Sequence, residues 1–159
     1  MGSSVFFVLA PGAVAVLVPA VLTDGWDSGN GYVWPIRAVG GVLAAAGAVV
    51  LVHSFVRFVV DGFGTPAPIA PPEHLVVGGL YRHVRNPMYV GVMSVVAGQA
   101  LVLGRPVLWT WFGALAVIFG SFVALYEQPK LTRTFGEEYV QYCRAVPAWL
   151  PRLRPYRET

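Results

Sequence analysis

Four apolar segments dominate the chain: residues 4–22, 36–60, 87–103 and 107–126. A helix needs about 20 apolar residues to cross a bilayer, and each run comes near that length or exceeds it. The first, third and fourth carry no charged side chain, and the second carries only Arg37 and Arg57. One water-soluble domain of 159 residues could not bury this much apolar surface. Of the whole chain, 56% is hydrophobic and 12% charged, against about 25% charged in ordinary soluble domains. The expected fold is therefore all-α: a polytopic membrane protein of about four transmembrane helices, with a short amphipathic helix near the C-terminus.

The expected parts are two N-terminal spans (1–60), a cytosolic loop (61–86), a helical hairpin (87–126) and a cytosolic C-terminal segment (127–159), forming one integral membrane domain. Pro11 and Pro19 are kink sites that a membrane helix can tolerate. Residues 4–22 lack a basic flank and a clear cleavage site, so they read as a retained span rather than a signal peptide. The second span is rich in small residues (Gly40, Gly41, Ala44, Ala45, Ala46, Gly47, Ala48), which permit close helix contact. Gly104-Arg105-Pro106 is a tight turn that makes the third and fourth spans antiparallel.

Charge placement sets the expected orientation. The 23–35 loop has Asp24 and Asp27 but no Lys or Arg. The 61–86 loop has Arg82 and Arg85, with Arg57 just before it. Six of the eleven basic residues lie after residue 128: Lys130, Arg133, Arg144, Arg152, Arg154 and Arg157. The loop and the C-terminus are thus assigned to the cytoplasm, and an even number of spans puts the N-terminus there too. Because the basic tail follows apolar spans, it suits membrane lipids and not nucleic acid. A single cysteine, Cys143, and three scattered histidines (His53, His74, His83) argue against a disulfide framework and against a metal site.

Two polar stretches stand out. The first is GGLYRHVRNPMYVG, residues 78–91. Its glycines permit close backbone approach, and Pro87 suits the first turn of a helix. Arg82, Arg85 and the free N–H groups of that helix start favour an anion. Juxtamembrane arginines that contact lipid headgroups are the plainer reading. The second stretch is LYEQPKLTRTFGEEYVQYCRAVPAWLPR, residues 125–152. Glu127 lies at the end of an apolar span, where an ionisable group needs a partner or a polar ligand. Tyr126, Phe135, Tyr139, Tyr142 and Trp149 gather around it in sequence, and aromatic faces with a carboxylate can hold a cation. An aromatic belt at the membrane interface is the plainer reading here. Tyr139, Tyr142, Cys143 and Val146 share one helical face, while Glu137, Glu138, Gln141 and Arg144 face away. Together the two stretches offer anion binders, a carboxylate and aromatic faces, a set that matches a zwitterionic sulfonium.

These two stretches, in this order, resemble the isoprenylcysteine carboxyl methyltransferase and phospholipid methyltransferase superfamily of integral membrane enzymes. The resemblance covers residues 74–152. It implies S-adenosyl-L-methionine as methyl donor, held on the cytosolic side, and a lipophilic acceptor that arrives from the bilayer. It implies that His74, Val77, Gly78, Leu80, Tyr81, Arg82, Arg85, Pro87, Tyr126, Glu127, Phe135, Tyr139 and Tyr142 lie at the cofactor. Arg144 and Trp149 follow them in the second block. It further implies that Arg85, Asn86, Tyr89 and Glu127 are the catalytic set. Many relatives have His where this chain has Asn86 and Glu where it has Gln128. Asn86 can hydrogen-bond but not titrate, and Glu127 is left as the one acid of its pair.

Methyl transfer from a sulfonium is an in-line displacement that needs alignment and a dry site more than acid–base chemistry. A carboxylate acceptor needs no general base; an amine acceptor must lose a proton, and Tyr89, Glu127 and Glu138 are equally placed to take it. His53, inside the second span, reads as a packing residue, and His83 as a headgroup neighbour. The alternatives are a small membrane reductase using a nicotinamide cofactor and a four-span lipid-binding scaffold. The sequence leaves the acceptor and the oligomeric state open.

Overall fold

The computed structural model describes residues 11–29, 32–62 and 74–156, and no strand occurs among them. Its helices are α1 (Ala13–Leu22), α2 (Trp34–Gly62), α3 (Pro87–Leu103), α4 (Pro106–Phe135) and α5 (Glu137–Ala145). A short 3₁₀ turn, Gly79–Arg82, precedes α3.

Glycine decides how α2 and α3 meet. A Cβ added to Gly40 would fall 2.7 Å from the Gly98 carbonyl oxygen, and one on Gly47 would fall 2.8 Å from that of Gly91. The converse holds on α3, where a Cβ on Gly98 would sit 2.5 Å from the Ala44 nitrogen. The two backbones therefore touch directly, as small residues allow between membrane helices. Gly41, one residue from Gly40, has open space around it. Of the small residues in the second span, those on one face make the contact.

The α3–α4 hairpin forms as the Gly104-Arg105-Pro106 turn implies. Gly104 closes α3 in the left-handed conformation (φ 63°), where glycine carries no steric penalty, and Pro106 starts α4. Ala100, Leu103 and Leu108 pack at the turn, and Val92, Val96 and Leu115 pack deeper, with Ala15 of α1. The loop after α1 is tied to this turn. Gly29 N–H donates to the Leu103 carbonyl at 2.8 Å, and Arg105 lies 3.5 Å from Asp24 and 3.6 Å from Asp27.

Among the described residues two π turns interrupt the helices, Ala13–Leu17 and Val123–Glu127. Each ends two residues before a proline, Pro19 or Pro129. A proline inside a helix lacks the N–H donor, and its ring clashes with the carbonyl four residues back. The wider turn moves that carbonyl aside, and the bond closing it spans five residues, Val18 N–H to the Ala13 carbonyl and Gln128 N–H to that of Val123. In α1 two backbone carbonyls are taken by side chains: Gln99 Nε2 donates to Ala15 (2.7 Å) and Trp111 Nε1 to Val14 (3.0 Å).

Residues Trp34–Arg57 of α2 and all of α4 are long and apolar enough to cross a membrane, and only 17% of the most apolar stretch of each is buried. Their outer surfaces expose Val39, Val42, Val49 and Val52, and Val117, Ile118 and Leu125. Apolar helices buried in a soluble core do not look like this, and the surface is consistent with a membrane protein. The described parts of α1 and α3 are shorter. Four spans were expected. Part of the first, residues 4–10, and the loop residues 63–73 lie outside the described residues. The fourth segment was expected to end at 126, but its helix runs on through Glu127 to Phe135. Gly136 (φ 56°) then breaks it from α5.

Overpacking a well-fitted contact costs about 1–3 kcal/mol, and more where the obstruction is backbone. Gly98→Val should therefore lower the unfolding temperature in detergent well below that of Gly113→Val, whose surroundings are open. Equal unfolding temperatures would mean that α2 and α3 do not approach as described.

Candidate active site

The segment before α3 has almost no secondary structure of its own, so its backbone groups must find partners elsewhere. They find them in the C-terminal tail. Arg85 N–H donates to the Pro147 carbonyl (2.9 Å), Arg152 N–H to that of His83 (2.9 Å), and Tyr156 N–H to that of Arg82 (2.9 Å). Side chains repeat the pairing. Arg82 Nε donates to the Tyr156 carbonyl (2.6 Å), His83 Nδ1 lies 2.8 Å from the Arg152 carbonyl, and Asn86 Nδ2 donates to that of Ala148 (3.1 Å). Arg152 itself donates to the Ala145 carbonyl at the end of α5. Residues 147–156 thus form a strap across residues 82–86.

Helix α5 is the second bridge. Tyr139, Tyr142 and Val146 are buried and pack with Leu75, Val77, Leu131, Phe135 and Tyr156, while Glu137, Glu138, Gln141 and Arg144 are exposed, as the helical pattern implies. The Tyr142 hydroxyl donates to the Tyr81 carbonyl at 2.6 Å. Arg85 Nη1 lies 2.8 Å from Cys143 Sγ, and its Nε is buried with no hydrogen-bond partner among the described residues. Burial is the main cause that holds the phenols of Tyr81, Tyr139 and Tyr142 above their ordinary range. For Tyr81, the nearby Tyr142, Glu127 and Tyr89 push the same way; for Tyr142, Arg85 opposes the shift.

Glu127 closes the arrangement. The π turn of α4 ends on it, and such turns frequently mark functional sites. Tyr89, in the first turn of α3, donates to Glu127 Oε2 at 3.1 Å. The Tyr89 ring lies between Phe119 (centroids 4.7 Å apart) and Trp149 of the strap (6.3 Å). One end of the helical bundle therefore holds a tyrosine–carboxylate pair, a guanidinium with an orphan donor, and several aromatic faces. That set can bind a ligand that carries both charges.

The two polar stretches singled out in the sequence do meet. Tyr81, Arg85, Tyr89, Glu127, Tyr139 and Tyr142 lie in or beside this assembly. Val77 and Phe135 pack in its apolar floor, Gly78 precedes the 3₁₀ turn, Leu80 lies within it, and Pro87 starts α3. Arg82 and Asn86 are committed to the strap through the bonds above. Tyr126 is 44% exposed; it stacks on Phe122 (5.2 Å) and meets Lys130, both on its own helix. His74 is exposed at the start of its described segment. Two residues of α2 that were not among the expected site residues also reach this end. A Cβ on Gly79 (φ 57°) would fall 2.9 Å from His53 Nε2 and 3.2 Å from Arg57 Cγ, so the end of α2 packs on this glycine. Arg57 was marked only by its place just before the loop, and His53 only as a packing residue within its span. Phe119 carried no signal beyond its apolarity.

Loss of a buried hydrogen-bond donor that strands its partner costs about 1–3 kcal/mol, so Tyr142→Phe should lower the unfolding temperature. The raised phenols give the accompanying pH dependence. The folded chain keeps protons that the unfolded chain releases near pH 10. Their stabilisation is fully present below that pH and is lost as pH rises through the higher folded values. Unfolding temperatures measured from pH 8 upward should fall beyond pH 10, and fall less in Tyr142→Phe.

Comparison with known proteins follows the same outline. The chain is 27% identical over 138 residues to protein-S-isoprenylcysteine O-methyltransferase A of Arabidopsis thaliana, covering 86% of this chain and 65% of the relative. It is 27% identical over 141 residues to the B form of the same plant, covering 87% and 66%. It is 35% identical over 82 residues to the Schizosaccharomyces pombe protein-S-isoprenylcysteine O-methyltransferase, covering 51% and 35%. The chain thus spans somewhat under two thirds of the plant relatives' length and about a third of the yeast one's. No solved structure matches it. Residues 36–138, which run from α2 to the start of α5 and include the Tyr89–Glu127 pair, match the model of the phospholipid methyltransferase family, and the chain belongs to that family.

Proposed function

We propose that the protein is an S-adenosyl-L-methionine-dependent methyltransferase that acts on a lipophilic acceptor at the cytosolic face of a membrane. The acceptor would be an isoprenylcysteine carboxylate, a phospholipid amine or a similar amphiphile. In this reading the protein is multi-pass, with both termini cytosolic. The observation that carries the reading is the Tyr89–Glu127 hydrogen bond, with the Tyr81–Tyr142 and Arg85–Cys143 contacts beside it. They bring both motif segments to one polar end of an apolar bundle. Family membership and the names of the relatives point the same way.

The donor set fits. S-adenosyl-L-methionine supplies a methyl group on an electrophilic sulfur, together with a carboxylate, an ammonium and a ribose. Arg85, whose Nε is a buried donor without a partner, suits the carboxylate. Glu127 suits the ammonium or the ribose hydroxyls, and Tyr89 fixes the rotamer in which it does so. The faces of Tyr139, Tyr142 and Trp149 suit the adenine and the cationic sulfur. Asn86, tied to Ala148 through its amide N–H, holds the start of α3 and does not titrate. Charge is neutralised or dispersed in the transition state, so a dry, aligned site lowers the barrier without a strong base.

Hydrogen bonds to charged groups contribute about 1.5–3 kcal/mol. Arg85→Ala and Glu127→Ala should each weaken binding of labelled S-adenosylmethionine by at least about tenfold, while helical content is retained. A lipid-binding scaffold would leave binding at background in the parent chain as well. A membrane reductase would bind a labelled nicotinamide cofactor instead.

With a lipid extract and labelled donor, mass analysis should find an amphiphile heavier by one CH₂. Tyr89→Phe should slow its formation about ten- to a hundredfold. Donor binding without any methylated lipid would point to a non-lipid acceptor.

A further inference from the structure

The strap leaves two leucines with nothing to cover them. Leu150 is 80% exposed and Leu153 is 97% exposed, and Trp149 beside them is 37% exposed. A single exposed leucine is ordinary. Here three large apolar residues fall within five positions, on a segment whose shape is fixed. The prolines recur every fourth residue, at 147, 151 and 155. The residues that follow Pro151 and Pro155 donate their N–H groups inward, Arg152 to His83 and Tyr156 to Arg82. Leu150 lies just before the first of these anchor points and Leu153 between the two, and both are exposed.

The surroundings say what covers them. Trp149 lies beside Tyr89, which lies beside Phe119 of α4. The strap therefore starts level with the first turn of α3, where the apolar outer surface of the bundle gives way to the polar end. Residues 139–156 carry three arginines, Arg144, Arg152 and Arg154, and no acidic residue. Exposed apolar side chains interleaved with arginines match an interface of acyl chains and anionic headgroups.

We propose that the strap is a membrane-docking element: Leu150 and Leu153 enter the bilayer interface, and Arg154 reaches anionic headgroups. The inference does not rest on methyl transfer. Its consequence is that lipid contact braces the strap from outside, while Arg82, His83, Arg85 and Asn86 hold it from within.

Nitroxide labels test it on the full-length protein in nanodiscs, in a Cys143→Ser background, at Leu150→Cys and Leu153→Cys. Val117→Cys, on the apolar surface of α4, is the deep reference and also reports that the bundle is inserted. Glu138→Cys, exposed on α5, is the aqueous reference. The ratio of collisions with oxygen to collisions with a water-soluble nickel chelate should be several-fold higher at 150 and 153 than at 138, and below that at 117. Replacing phosphatidylglycerol with phosphatidylcholine, or Arg154→Gln, should lower it. A ratio at both leucines equal to that at 138 would overturn the proposal. So would a ratio indifferent to anionic lipid, or dipolar broadening showing that labels on two copies face each other.

Discussion

Irregular backbone has to satisfy its hydrogen bonds somewhere, and the end of an apolar helical bundle offers few partners. This constraint shapes the whole polar end of the molecule. Beyond the bonds within its own 3₁₀ turn, the segment before α3 gives its Arg85 amide and its Arg82 and His83 carbonyls to the strap, and the strap pairs its Pro147 carbonyl and its Arg152 and Tyr156 amides in return. Neither segment has other regular structure to fall back on. Each is ordered by the other, at a separation of about seventy residues in the sequence, as the Arg82–Tyr156 and His83–Arg152 bonds show. Unpaired groups here would cost about 1–3 kcal/mol each. Whatever binds at this end is therefore received by a scaffold already closed on its outer side.

The same reasoning explains why the two arginines of the turn, alike in sequence, differ in place. Arg82 gives its Nε to a strap carbonyl and so belongs to the closure. Arg85 gives its backbone N–H to the strap but turns its side chain toward α5, where Nη1 meets Cys143 and Nε is left without a partner. A spacing of three residues separates a structural cation from one with donor capacity to spare. His83 is likewise taken up by the strap, through both its ring and its carbonyl.

Much of this was legible in the residues, for physical reasons that can be named. Apolar length marked out the helices, and Gly104 with Pro106 marked the hairpin, because few residues tolerate those backbone conformations. The small residues of α2 announced a close contact, although their number did not say which face would make it. The helical spacing of Tyr139, Tyr142 and Val146 gave the buried face of α5. Other features depend on tertiary geometry and leave little trace in one dimension. The apolar run ends at residue 126 and the polar residues beyond it read as a separate short helix, so the continuity of α4 through Glu127 to Phe135 was not visible. A π turn accommodates Pro129 by moving the carbonyl that the proline would strike. The packing of His53 on Gly79 had no local signal, since one histidine in an apolar helix does not reveal its neighbour.

The prolines connect these observations. In α1 and α4 alike, a proline two residues beyond a π turn forces the helix to widen where it passes a polar contact. In α1 the widening accompanies carbonyls that accept from Gln99 and Trp111. In α4 it ends on Glu127, the residue that meets Tyr89. A regular helix advances each residue by 100°, so one extra residue in a turn shifts the register of everything beyond it. Along α4, Leu115 and Val123 are buried, Glu127 at the end of the wide turn meets Tyr89, and Leu131 and Phe135 beyond it pack under α5. The π turn that accommodates Pro129 lets one continuous helix serve an apolar bundle at one end and a polar site at the other.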